Sequence, residues 1–287
     1  MARGLDHIVH AVRDLDACAA LYERLGFIVG ARNRHDWGTH NRVVQLPGFF
    51  VEILTVAEPA KLGGDGIARL FGAYNRDFLA RHEGFSGLLL ASGDTSADAV
   101  AFRDAGIAGS EALRFEREGR RPDGPPIRLA FSLAFACDAR APDIGFAACQ
   151  HHYPENFWNP AFQQHRNGAT GVAGVVMVAE NPSDHHIFLS ALTGERELLA
   201  TSSGITVQTP RGTIQVMEPS AYERHFGAAP PDIARGARLA ALILAVRDRT
   251  HVAALLEEAK IATVERMGRI VVGPQDAMGA ALVFEQS

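Results

Sequence analysis

What this chain lacks bounds it first. Of its 287 residues only three are cysteine, Cys18, Cys137 and Cys149. An odd number, widely spaced and set inside apolar segments, does not make a disulfide framework. All three therefore read as buried small hydrophobes in a reducing, cytoplasmic setting. No apolar run approaches the roughly 18–20 residues that a membrane span needs. The opening MARGLDHIVHAV lacks the apolar stretch and small-residue cleavage site of a secretory signal, and reads as the start of a folded strand. There is no basic block or stripe either. With 28 Lys+Arg against 33 Asp+Glu the formal net charge is -5, which removes the electrostatic footprint of a nucleic-acid binder. Phosphate-cradling glycine loops, nucleophile elbows, CxxC pairs and HExxH helices are also absent. What remains is an ordinary globular composition, 47% hydrophobic and 21% charged, long enough for one large or two modest domains.

The strongest positive signal is order. Residues 5–27, LDHIVHAVRDLDACAALYERLGF, read as a short apolar strand followed by a helix. Asp14 is its N-cap, Leu15, Cys18, Leu21, Tyr22 and Leu25 recur at helical spacing, and Gly26 ends it. Two strands follow, around HDWGTHNRVVQL and PGFFVEILTV, with a further short one before them.

The same layout returns three times. A second unit runs from FSGLLLAS at residue 85 through helix DTSADAVAFRDAG to strands near EALRFER, PIRLAFSLAFAC and IGFAACQHH. A third opens at GVAGVVMVAE, continues into helix NPSDHHIFLSALTG and closes with GTIQVMEP. A fourth runs from ARLAALILAVRD through RTHVAALLEEAK to GAALVFEQ. In each, the last strand carries one polar residue read as equivalent: Glu52, Gln150, Gln215 and Glu285. A fixed-order repeat takes precedence over any single motif.

These features resemble the vicinal oxygen chelate superfamily, which includes glyoxalase I, bleomycin-resistance proteins and extradiol dioxygenases, and within it the glyoxalase-like domain proteins. The features that carry the likeness are the opening strand and helix, GTHN at residues 38–41 followed by FFVEIL, and the connection LFGAYNRDFLARHEG. The resemblance implies an α+β fold of four βαβββ units in two pairs, each pair forming a curved, mostly antiparallel sheet around a cavity. The natural division is an N-terminal half at 1–168 with the candidate site and a degenerate, supporting C-terminal half at 169–287.

In this superfamily the metal ligands stand on the first and last strands of paired units. His7 and Glu52 supply them in the first unit. The second unit has Ser86 or Gly87 on its first strand, neither a ligand, and Gln150 on its last, with His152 two residues on. The expected donor set is thus His7, Glu52, and Gln150 or His152, around a divalent zinc, manganese, iron, nickel or magnesium ion. Glu52 doubles as the catalytic base. His10, three residues from His7, faces the other way. Thr39, His40, Asn41, Phe78, His151 and Trp158 are expected to meet the substrate, on the GTHN stretch, the second unit's end and the two inter-unit connections. His35 and His165 lie near them. First-strand positions in the third and fourth units, Gly174 and Ala241, hold no ligand, and His185-His186 reads as surface.

Two functions follow. One is a metal-dependent lyase, isomerase or dioxygenase acting on a small organic molecule. The other is a metal-free protein of the bleomycin-resistance type that sequesters one. Either way the partner is a small molecule rather than nucleic acid or membrane, and a homodimer is the expected assembly.

Overall fold

Asp14, Asp94 and Asp248 each stand one residue before a helix and accept hydrogen bonds from its first backbone amides. Each satisfies donors that a helix start leaves unpaired, so three of the four units begin their helix in the same way. The computed structural model of the chain describes residues 2–64, 66–120, 124 and 126–287; Met1 of the opening segment lies outside them.

The first unit is β1 (Leu5–Ala11), α1 (Leu15–Arg24), β2 (Asn33–Arg34), β3 (Thr39–Leu46) and β4 (Phe49–Val56). A wide helical turn, Ala68–Ala73, runs into α2 (Tyr74–Leu79) and leads to the second unit. That unit is β5 (Gly84–Ala91), α3 (Thr95–Asp104), β6 (Leu113–Arg120), β7 (Pro126–Ala136) and β8 (Gly145–His151), followed by the short α4 (Pro154–Phe157). The third contains β9 (Ala169–Val178), α5 (His186–Thr193), β10 (Leu198–Thr201), β11 (Gly204–Gln208) and β12 (Thr213–Met217). After α6 (Pro219–Phe226) the fourth is β13 (Arg238–Val246), α7 (Arg249–Glu258), β14 (Val264–Arg266), β15 (Arg269–Val272) and β16 (Ala281–Gln286).

The units pair into two eight-stranded sheets of identical topology, ordered β2-β3-β4-β1-β5-β8-β7-β6 and β10-β11-β12-β9-β13-β16-β15-β14. Within each unit the first and last strands run parallel; the remaining neighbours are antiparallel, so both sheets are mixed. Each first strand also carries one unpaired residue at a matching place: Asp6, Ser86, Ala173 and Ala240. Asp6, Ser86 and Ala240 each lie eight residues ahead of the helix caps Asp14, Asp94 and Asp248. A bulge of this kind turns a side chain out of strict alternation.

One face of both sheets shares a core with the long helices, in which Leu5, Tyr22, Phe102, Phe146, Phe188 and Phe284 meet. The other faces differ. In the second sheet α6 covers part of it, Tyr222 and Phe226 packing on Val176, Ile243 and Val283, and a cleft of about 950 Å³ lies open beside Gln215 and His225. In the first, the corresponding connection covers the sheet with Ile67, Leu70 and Phe71 and with Phe78 and Leu79 of α2, and a smaller cavity remains next to them.

Two local expectations are corrected. His185 is buried rather than at the surface, its Nδ1 2.7 Å from Asp138 Oδ2, while His186 beside it is exposed. Cys137 is exposed because it stands just beyond β7, although Cys18 and Cys149 are buried; all three are free thiols. His10 is buried on the shared-core side, where its Nε2 bonds the Met278 carbonyl of the other half at 3.1 Å. Among the described residues no helix is long and apolar enough to cross a membrane.

Candidate active site

Parallel pairing sets His7 of β1 beside Phe50 of β4, and Val9 beside Glu52. By period two, the His7 and Glu52 side chains share the inner face of the first sheet. His7 Nε2 lies 4.0 Å from Glu52 Oε2. The bulge adds a third group, since the unpaired Asp6 turns its carboxylate to the same side. Its Oδ2 lies 2.6 Å from His7 Nδ1, and its Oδ1 3.1 Å from His151 Nε2. Ionised Asp6 can only accept, so His7 donates from Nδ1 and presents Nε2 as an acceptor to the cavity. The His7 ring is also stacked on Phe50, with centroids 4.2 Å apart.

Glu52 Oε1 accepts a 2.5 Å hydrogen bond from Asn41 Nδ2, and Asn41 is in turn 3.4 Å from His35 Nε2. His35 Nδ1 bonds Thr39 Oγ1 at 2.8 Å, and its ring stacks on Trp37. Burial raises the Glu52 carboxyl, against the His7 charge and the Asn41 bond. Burial works the same way on Asp6, but the bonds from His151 and His7 win and hold it well below the usual carboxylate range. Burial pushes His35 down to about 3, aided by the charge of Arg117. The Cys149 thiol is raised by burial and then by Asp6.

His7, His35, Asn41, Glu52 and Cys149 line the floor of a cavity with about 50 Å³ of free space, walled by Trp37, Phe50, Phe115, Phe131 and Phe157. An outer cleft of about 770 Å³ adjoins it, and Val43, Arg117 and Phe157 line both. His7, Glu52 and Asn41 are therefore brought together at the cavity. His151 stands behind them on Asp6, stacked on Trp158, which lines the outer cleft. Thr39 reaches the site only through His35. His40 points away and lies 3.4 Å from Glu58 Oε1.

Gln150 is not in the cavity. Alternation along β8 sends Cys149 and His151 inward and Gln150 outward, where it accepts from Thr95 N and Oγ1 at 3.3 Å and donates to the Gly93 carbonyl at 2.8 Å. Register gives the reason: Leu89, the counterpart of Val9, pairs with Ala147, so Ala147 and not Gln150 holds the place of Glu52. Gly87 likewise holds the place of His7. Gln215 does match Glu52, being paired with Val176, whereas Val283 takes that place in the fourth unit and Glu285 binds Arg269. His152 lies past the strand end, 2.7 Å from Ser132 Oγ. Phe78 is fully buried with Ala11 and Leu79 and touches no part of the cavity. Asp6 and Arg117 went unread in the sequence, and Cys149 was read there only as a buried small hydrophobe; the one local signal was an aspartate beside a histidine in an otherwise apolar strand.

The donors suit a divalent ion. His7 Nε2 and Glu52 Oε2 are within the about 4 Å that two ligand bonds of about 2.0–2.2 Å can span. Asp6 orients His7 as a carboxylate behind a metal-binding imidazole does. Asp6, His7 and Cys149 further present ligand atoms within 4.8 Å of one another.

Paired βαβββ units with a histidine and a carboxylate facing one cavity define a vicinal oxygen chelate protein. The chain belongs to the glyoxalase-like domain family, which matches residues 5–193. No curated protein matches the sequence significantly. Among solved structures, a hypothetical protein from Staphylococcus aureus aligns with TM-score 0.69 at 12% identity, over 99% of this chain and 100% of that one. A mutant 4-hydroxymandelate synthase from Streptomyces coelicolor aligns at 0.62 and 14% identity, over 99% and 92%. The Mn(II)-bound glyoxalase from Novosphingobium aromaticivorans aligns at 0.56 and 11% identity, over 100% and 83%. At these identities the likeness is one of fold.

Proposed function

We propose that the N-terminal cavity is the active site of a glyoxalase-like, metal-dependent enzyme acting on a small organic molecule as a lyase, isomerase or dioxygenase. The observation that carries this reading is the 4.0 Å approach of His7 Nε2 to Glu52 Oε2, with His7 held from behind by Asp6. His7 and Glu52 would hold the ion, zinc, manganese, iron, nickel or magnesium. When bound, it supplies Lewis-acid polarisation of a substrate oxygen. Glu52 acts as the base: burial raises its carboxyl, which favours its taking a proton, and Asn41 keeps one oxygen oriented. The aromatic walls exclude water and pack the substrate body.

The division of labour at 168/169 belongs to the same proposal, since the histidine and carboxylate that face each other stand on the first sheet, while Gly174, Ala241 and Val283 take ligand places of the second. Free cysteines, two of them buried, support a reducing cytoplasmic setting.

Calorimetric titration with zinc, manganese and iron(II) tests the reading. Wild type should bind one ion per chain. Glu52→Gln keeps the volume but removes the charge that offsets a divalent ion, and should lose that heat while remaining folded. Equal, negligible heats for both would overturn the metalloenzyme and support a metal-free small-molecule binder of the bleomycin-resistance type. That second reading is favoured by Gly87 and Ala147, which leave two of the four ligand places without a donor.

A further inference from the structure

On β6 the outward residues Arg114, Glu116 and Glu118 are exposed, while alternation turns Phe115 and Arg117 toward the cavity. Among the described residues Arg117 makes one hydrogen bond, Nη1 to Asn33 Oδ1 at 3.1 Å, and no carboxylate pairs with it. Burial disfavours its charge, and Glu52 on the cavity floor is the group whose field opposes that effect. A partly desolvated guanidinium with most of its donors open is a costly arrangement unless something binds there. Its planar fork matches a carboxylate in a way a lysine would not. Position adds a second argument. Arg117 is the charged side chain that lines both the inner cavity and the outer cleft, at the partition that it forms with Val43 and Phe157. An acid entering from the cleft meets Arg117 before it meets the Glu52 carboxylate, which by itself would repel it.

We infer that Arg117 anchors an anionic group of the substrate, and that this site takes small carboxylic acids with an aromatic or otherwise apolar body. The carboxylate sits in the Arg117 fork, the body lies against Phe115, Phe131 and Phe157, and the reacting end is directed to His7 and Glu52. This inference rests on the cavity being the active site, and its test is separable from the test of the metal.

Trp37 lines the cavity, so its fluorescence reports occupancy. The protein is titrated with phenylacetate and benzoate and with their neutral isosteres phenylacetamide and benzamide, with manganese present. Wild type should bind each acid at least about tenfold more tightly than its amide, as a hydrogen-bonded charge pair implies. Arg117→Met should abolish that preference, and Arg117→Lys should restore only part of it. If wild type binds the acid no better than the amide, or binds neither, the inference is overturned. It is also overturned if Arg117→Met keeps the preference. The acid-to-amide ratio is read on wild type, so it stands even if a variant folds poorly. Manganese heats read separately on wild type report on His7 and Glu52, so failure of the metal reading shows there and not in the ratio.

Discussion

The Asp6 carboxylate and the His7 imidazole are adjacent in the chain and still bond each other, Oδ2 to Nδ1 at 2.6 Å. On a regular strand consecutive side chains point to opposite faces. Here Leu5 pairs with Leu90 and His7 with Leu89, so Asp6 is skipped by the ladder and is free to turn inward. The bulge thereby fixes the His7 tautomer and aims Nε2 at Glu52. Asp6→Asn should keep the volume and lower divalent-metal affinity by about 10–100-fold, as loss of an orienting carboxylate does. Calorimetric titration with manganese measures it; an unchanged affinity would show that His7 needs no orienting partner.

Stability should fall on mild acidification because of His10. It is fully buried, with Nδ1 3.0 Å from the Tyr22 hydroxyl and Nε2 3.1 Å from the Met278 carbonyl, and burial pushes its pKa down from 6.5 to about 4. Between those values the unfolded chain binds the proton and the folded chain does not, so stability rises with pH through this window. The contribution is complete above 6.5 and is lost as pH falls toward 4, a change on the order of 3 kcal/mol. His35, pushed to about 3 by burial, acts in the same direction. Urea midpoints across the window for wild type and His10→Asn isolate the His10 share, which should be missing from the variant's slope.

Gly84 and Gly279 mark where the two halves touch backbone to backbone. Gly84 has φ +123, and a Cβ there would lie 2.5 Å from the Gly279 carbonyl oxygen. Gly84→Ala should therefore cost more than the about 1–3 kcal/mol of backbone strain alone. A lowered thermal midpoint is the expected readout, and an unchanged one would mean that the halves are free to shift apart at this point.

Phe226→Ala should empty part of the space that α6 fills in the second sheet. Phe226 is fully buried against Tyr222, and such truncations cost about 3–5 kcal/mol. Metal titration of the folded variant should nonetheless match wild type, since no group of the second half reaches His7 or Glu52. A loss of metal binding in folded protein would show that the second half takes part in the site.

The likeness to the family placed His7 and Glu52 at one cavity; the sequence by itself determined the unit order and the helix starts. These rest on local rules: Asp14, Asp94 and Asp248 cap helices through bonds within their own first turn, and apolar spacing marks strand and helix over a few residues. Only the tertiary structure decided which residues of the second unit face that cavity. Gln150 and Cys149 are neighbours, and a one-residue change in register exchanges them between the inner face and α3. That register depends on β5 pairing with β8, more than fifty residues apart in the chain, as Leu89 with Ala147. Asp6 depends likewise on a skipped rung against β5, and Arg117 on a hairpin folding over a cavity that β1 and β4 build. Non-local pairing settled these positions, and no local pattern in the chain encodes it.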